Sequence, residues 1–191
     1  MITDEQLVQE ILEGNEPAME ILTKRYYKII FAYVYRTVGE YHNAYDLTQE
    51  VFIKMMKGLS KYKEAQKFKS WLFTIAVNTC KDYYRSSETK IIKEDILDEN
   101  IARGLVDEKS NVISIVNKNI RTKIIKEALE ELPEYQKEAL ILKYYHDLKT
   151  SEIAEITKNK EATVKSRLRQ GIGKLRKILG GEEDVKYYES K

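Results

Sequence analysis

Apolar residues recur at helical spacing through most of the chain. Leu7, Val8, Ile11 and Leu12 give a first helix one apolar side, with Thr3 and Gln6 forming a capping-box pattern ahead of it and Gly14-Asn15 ending it. From Glu16 to about Val38 the positions Met19, Leu22, Tyr26, Ile29, Ile30, Tyr33 and Val34 keep that spacing, which predicts a long core helix interrupted at Gly39. A third helix begins near Asn43. It carries Leu47, Val51 and Met55 on one side and Asp46, Gln49, Glu50 and Ile53 on others, an acidic and apolar mixture suited to docking a partner. The period breaks over Gly58–Lys67, read as a basic loop. It returns with Phe68, Trp71, Leu72, Ile75, Ala76 and Thr79 as the buried side of a fourth helix, while Lys69, Asn78, Lys81, Asp82, Tyr84 and Arg85 lie elsewhere.

Between Ser86 and Val116 the helical pattern fails. From Asn119 it resumes with Ile120, Ile124, Ala128 and Leu129. Pro133 suits the first position of the next helix, because its missing N–H has no intrahelical partner there, and Ala139, Leu140 and Leu142 follow as buried residues until about His146. Thr150 or Ser151 caps a short helix carrying Ile153, Ala154 and Ile156. After the polar break Lys158-Asn159-Lys160, a last helix starts at Glu161 with a narrow buried stripe of Val164, Leu168, Ile172, Leu175 and Leu179. Its other faces hold Thr163, Lys165, Ser166, Arg167, Arg169, Gln170, Lys174 and Arg176, donors for phosphates and base edges on a helix that fits a major groove. This is a helix-turn-helix pattern.

Only two Pro and eight Gly in 191 residues agree with a mostly helical chain. The net charge of +2 hides strong local focusing. Lys149–Leu179 has nine Lys and Arg against three Glu, and Lys54–Arg85 has eight against two acids, so each block is +6; from Glu88 to Glu108 seven acids face three basic residues. Two basic blocks favour a polyanion partner, and the acidic stretch between them reads as a linker that such a partner repels. The fold class expected is therefore all-α, two small helical domains joined by an acidic linker, with boundaries 1–86, 87–118 and 119–181 and a frayed tail at 182–191.

In the first basic block, basic residues are interleaved with Tyr62, Phe73, Tyr83 and Tyr84, which pairs cations for phosphates with flat rings for bases, although most of these rings also suit a core, and Phe68 and Trp71 read as core. A plain helical hairpin with a solvated basic face would also account for the second block. Cys80 stands alone and reads as a small core residue, which removes disulfides and multi-cysteine metal sites and suits a reducing cytoplasm. The longest apolar run, Ile29–Tyr35, is too short to span a bilayer, and acids occupy the start where a signal peptide has basic residues. The expected location is cytoplasmic, without membrane insertion. No Gly-rich phosphate cradle is present, and His42 and His146, read as surface or loop residues, lie far apart without matching acids or thiols. Neither catalysis nor a cofactor or metal is expected.

Asp46-Leu47-Thr48-Gln49-Glu50-Val51-Phe52, then Phe68–Thr79, then Thr163-Val164-Lys165-Ser166-Arg167-Leu168 together resemble a bacterial extracytoplasmic-function sigma factor, in that order and spacing over nearly the whole chain. Three motifs in order are more specific than a helix-turn-helix alone. The resemblance implies a specificity subunit of RNA polymerase. One helical domain (sigma region 2-like) docks on the clamp of the core enzyme's largest subunit and opens minus-ten DNA, and a second (sigma region 4-like) reads the minus-thirty-five element. An anti-sigma factor usually accompanies the family. By the same resemblance Asp46, Gln49, Glu50 and Phe52 fall at the polymerase-docking motif. Ser60, Lys61, Tyr62 and Lys63 fall in the loop that takes a flipped base, Trp71 and Asn78 on the melting helix, and Thr163, Lys165, Ser166, Arg167 and Arg169 on the recognition helix. The chain departs from the family at the turn, where Lys158-Asn159 replace a Gly and an apolar residue. The alternative is a conventional helix-turn-helix transcriptional regulator, with a palindromic operator and no need of polymerase.

Overall fold

The computed structural model describes residues 2–62, 67–91 and 124–180. Among these, every regular element is helical. In chain order they are α1 (Asp4–Leu12), α2 (Glu16–Val38), α3 (Tyr41–Gly58), a 3₁₀ turn (Leu59–Lys61) and α4 (Phe68–Ile91), then α5 (residues 124–130), α6 (Glu134–Leu140), α7 (Thr150–Thr157) and α8 (Glu161–Ile178). Two compact units result, Met1–Ala102 with Ser151–Asn159, and Arg103–Thr150 with Lys160–Lys191.

Local chemistry explains the helix ends in the first unit. The Thr3 hydroxyl accepts the Gln6 N–H while the Gln6 side chain accepts the Thr3 N–H, closing the anticipated capping box. α2 ends at Gly39, whose φ of +82° is the left-handed conformation that glycine adopts without a Cβ penalty. α3 begins two residues earlier than its pattern suggested, because Glu40 caps it: its carboxylate accepts the backbone N–H groups of His42 at 2.8 Å and Asn43 at 2.6 Å. Those bonds, Asn43 first, hold the Glu40 pKa below the ordinary carboxylate value. The cap's stabilisation is therefore present above the ordinary carboxyl range and is lost as pH falls through the depressed folded value. A Glu40→Gln variant is expected to lose up to about 1 kcal/mol at neutral pH, the usual scale of an N-cap. The difference from the wild type should vanish in melts at acid pH, where both side chains are neutral.

α2 packs on α1, α3 and α4, and α3 packs on α4, which makes α2 the centre of the first unit. Leu22, Ile30, Tyr33, Val34, Val51, Met55, Leu72, Phe73 and Ala76 fill the core, and Cys80 is buried with them as expected. Asp4 ties α1 down, its carboxylate accepting from the Arg25 guanidinium and from the Tyr26 hydroxyl. Burial first, then Asp4, pushes the Tyr26 pKa far up. α4 runs to Ile91, past Ser86, where the apolar period stops. Backbone hydrogen bonding outlasts the buried stripe here, since helix propagation needs no apolar face. The rest of the expected linker and the tail lie outside the described residues.

In the second unit Leu129, Leu132 and Leu140 form a core against which Ile125, Leu168, Ile172 and Leu175 pack, matching the narrow stripe anticipated on α8. α6 and α8 approach closely because α8 presents Gly171: a Cβ there would come 2.9 Å from Leu140 Cδ1. Pro133 caps α6 from just outside the helix rather than occupying its first turn, with a backbone ψ of 140°. Its carbonyl still accepts the Gln136 and Lys137 N–H groups. α6 continues as a π-helical turn, Ile141–Tyr145, and stops at His146. That histidine is buried, contrary to the surface or loop position expected of it; it ends the π-helical turn, and the Leu148 N–H donates to the Leu142 carbonyl across it at 3.2 Å.

Candidate polymerase and promoter interfaces

α3 divides cleanly by face. Ala44, Leu47, Thr48, Val51, Phe52 and Met55 are buried, and the Thr48 hydroxyl is satisfied by donating to the Ala44 carbonyl. Asp46, Gln49, Glu50, Ile53 and Met56 are exposed in steps of three and four and so form one outward stripe. Ile53 and Met56 are 43% and 47% exposed, large apolar side chains next to acids. Tyr41 and Tyr45 extend the exposed surface toward the helix start. The Glu50 carboxylate lies 2.8 Å from Lys54 Nζ, which also donates to Thr79 Oγ1 on α4 at 3.1 Å. Of the four residues placed at the docking motif, Asp46, Gln49 and Glu50 are together at the surface, whereas Phe52 is 7% exposed and stacks on Tyr27 of α2. Sequence reading had singled out Ile53 but not Met56, Tyr41 or Tyr45, though Met56 falls three residues beyond Ile53 on the same stripe.

Beyond α3 the 3₁₀ turn holds Ser60 and Lys61 exposed, while Tyr62 is half-buried. The Tyr62 ring centroid lies 5.2 Å from that of Trp71 and 5.7 Å from that of Phe68, and Phe68 in turn meets Tyr26 at 5.3 Å. The Trp71 indole also passes over Gly58, where an added Cβ would sit 3.2 Å from Cζ2. Helical spacing puts Phe68 and Trp71 on the buried side of α4 and leaves Tyr62, Phe73, Tyr83 and Tyr84 open as core or base-stacking surface; Trp71 departs from that expectation. The fold separates them: Phe68 and Phe73 are buried, Tyr62 and Trp71 are partly exposed, and Tyr84 donates its hydroxyl to the Thr37 carbonyl. Asn78 is exposed further along α4, one turn from Asp82 and two from Arg85. Lys63 lies outside the described residues.

On α8, Thr163, Lys165 and Arg169 are exposed, and Ser166 and Arg167 are half-buried. The Arg167 guanidinium carbon stands over the Tyr135 ring at 5.3 Å from its centroid. Ser166 Oγ accepts from Gln170 Nε2 at 3.3 Å, and Gln170 Oε1 accepts from the buried Gln136 Nε2 at 3.2 Å. In the turn before α8, Lys158 adopts φ of +53°, supplying without glycine the left-handed residue that the turn requires. The Asn159 side chain steadies the turn by donating to the Thr157 carbonyl at 2.7 Å.

Two sequence patterns match this chain in that order, sigma-70 region 2 over residues 22–89 and sigma-70 region 4 over residues 122–175. The ECF RNA polymerase sigma-E factor of Escherichia coli (strain K12) is 31% identical over 171 residues, which cover 87% of this chain and 89% of that one. The chain belongs to the extracytoplasmic-function RNA polymerase sigma factors. The RNA polymerase sigma factor SigV of Bacillus subtilis (strain 168) is likewise 31% identical, over 84% of this sigma factor and 87% of its own length. The all-helical fold is shared with a solved structure, the sigma factor RpoE in complex with the anti-sigma factor NepR from Bartonella quintana, at a TM-score of 0.71 and 21% identity over 86% of this chain and 98% of that one. CnrH in complex with the cytosolic domain of CnrY gives 0.68 at 20% identity, over 92% of this chain and 96% of that one. This sigma factor is thus a transcription initiation factor. No described helix is long and apolar enough to cross a membrane.

Proposed function

We propose that this sigma factor binds the RNA polymerase core through the outward stripe of α3, directs it to particular promoters, and acts in the cytoplasm without catalytic chemistry of its own. The observation that supports the residue-level reading is the exposure of Asp46, Gln49, Glu50 and Ile53 on one stripe, inside the matched region 2 and at the motif to which the family resemblance assigns docking. An acidic edge beside apolar side chains fits a helical partner with cations around an apolar seam. Phe52 supports that stripe from beneath, through its stacking on Tyr27.

Promoter contacts divide between the two proposed domains, 1–86 and 119–181. Ser60, Lys61, Tyr62 and Lys63, with Trp71 and Asn78, take the opened minus-ten strand: a partly exposed aromatic wall beside polar donors is what an extruded base requires. Thr163, Lys165, Ser166, Arg167 and Arg169 meet the minus-thirty-five duplex in the major groove. An anti-sigma factor is the further expected partner, since the solved neighbour from Bartonella quintana carries one. The deciding experiment reconstitutes the full chain with core polymerase and measures promoter-specific initiation. Specific transcripts that need both components support the reading. Tight palindrome-specific binding by the free chain, with no effect of core enzyme, would instead favour a conventional repressor.

A further inference from the structure

The base-reading face of α8 does not stand alone. Two consecutive residues in the first turn of α6, Tyr135 and Gln136, each reach a residue assigned to that face, Tyr135 directly and Gln136 by way of Gln170. The Tyr135 ring underlies the Arg167 guanidinium at 5.3 Å, and Gln136 holds Gln170, which in turn donates to Ser166. Gln136 is 2% exposed, so its amide is fixed by packing, whereas Tyr135 is 46% exposed and offers its ring at the surface.

We propose that Tyr135 and Gln136 are positioning residues for promoter recognition, with Tyr135 pre-orienting Arg167 and the Gln136–Gln170 pair fixing the Ser166 hydroxyl. This rests on the reading of α8 as the minus-thirty-five recognition helix. Arg has many rotamers, and a bidentate contact to a base edge uses only one of them, so most of the contact's cost is ordering the side chain. A ring face attracts the guanidinium through its charge and does not itself accept the in-plane N–H fork that a guanine edge would engage. The contact therefore narrows the positions that the guanidinium samples. Gln170 works differently: its donation to Ser166 Oγ occupies one lone pair and turns the hydroxyl proton away from Gln170, which narrows the directions in which Ser166 can donate.

Discrimination is measured with the full chain in holoenzyme, as the ratio of binding to promoters carrying each single-base change in the minus-thirty-five element. Tyr135→Leu is expected to lower discrimination about two- to fivefold, the size of an exposed cation–π contact. The loss should fall only at the base position where Arg167→Ala also loses it. Tyr135→Phe should keep the wild-type ratios, and adding Tyr135→Leu to Arg167→Ala should change nothing more. Gln170→Glu keeps an acceptor for Gln136 Nε2 but removes the donor to Ser166 Oγ, so it is expected to lower discrimination only at the base position where Ser166→Ala also loses it, and unchanged ratios overturn the second arm. A Tyr135→Leu factor with wild-type discrimination overturns the proposal, as does a uniform loss on every promoter variant, which marks a merely structural role. Full discrimination by Arg167→Ala also overturns it, because no base contact would remain to be oriented. The promoter selectivity of the wild-type holoenzyme tests the functional reading separately.

Discussion

Replacing Asp46 and Glu50 together by Lys is expected to weaken binding to core polymerase at least about tenfold, since close interfacial charge pairs couple by roughly 1.5–7 kcal/mol. The two positions are unequal. Glu50 already meets Lys54 at 2.8 Å, and that cation is further engaged with Thr79 and, at 3.8 Å, with Asp82. Its charge is partly spent inside the protein, so Asp46→Lys alone should cost more affinity than Glu50→Lys alone. The internal cost of losing the Glu50–Lys54 pair is small, about 0.3–0.5 kcal/mol for an exposed pair of this spacing. A folded double variant can therefore be expected. Ile53→Glu tests the apolar part of the stripe and should add to the loss, because the residue is 43% exposed in the free chain and burying it is favourable only against an apolar partner. Fluorescence titration against core polymerase reads all four variants; unchanged affinity in the folded double variant would remove α3 from the docking surface.

A second large effect is expected at the minus-ten site, and the structure dictates which substitutions to use. Tyr62 packs against both Phe68 and Trp71, so an alanine there would strip a ring from the cluster that anchors the start of α4 and mix instability with function. The informative variant changes Ser60, Lys61 and Lys63 to Ala and leaves Tyr62 in place. Extruding a base costs a few kcal/mol that pocket contacts must return. Losing about 2 kcal/mol of that return would cut the open-complex population about 30-fold. Binding to core enzyme and recruitment to duplex promoter should persist, because the substituted residues belong to neither the α3 stripe nor α8. Permanganate reactivity of promoter thymines checks this directly, and thymines as reactive as with the wild type would assign strand capture elsewhere. Trp71→Leu in the same assay asks whether the partly exposed indole is the wall against which the base stacks.

Periodicity and capping chemistry were enough to read the helices and, for most, where they begin and end. α2 was legible from Glu16 to Val38 because Gly14-Asn15 and Gly39 punctuate it and a single apolar stripe runs between them. The Thr3–Gln6 box and the apolar stripe of α8 are likewise local properties, carried by residues near one another in the chain. Three kinds of feature lay outside the apolar pattern. The start of α3 depended on Glu40, an uncommon cap whose two backbone bonds form only in the folded turn. The end of α4 depended on hydrogen bonding that outlasts the apolar pattern. Most of all, the state of each aromatic and of each recognition side chain was set by neighbours distant in sequence. Helical spacing gives Phe52 and Ile53 similar claims to a surface, yet the Tyr27 ring takes one inside and leaves the other outside. Nothing in the α8 sequence announces Tyr135, more than thirty residues earlier, as the group beneath Arg167. The sequence by itself determined which helices exist, which faces are apolar and which family they serve, because those follow from spacing along one chain. Tertiary structure alone decided which side chains remain available to a partner, because availability is fixed by what packs against them from another helix.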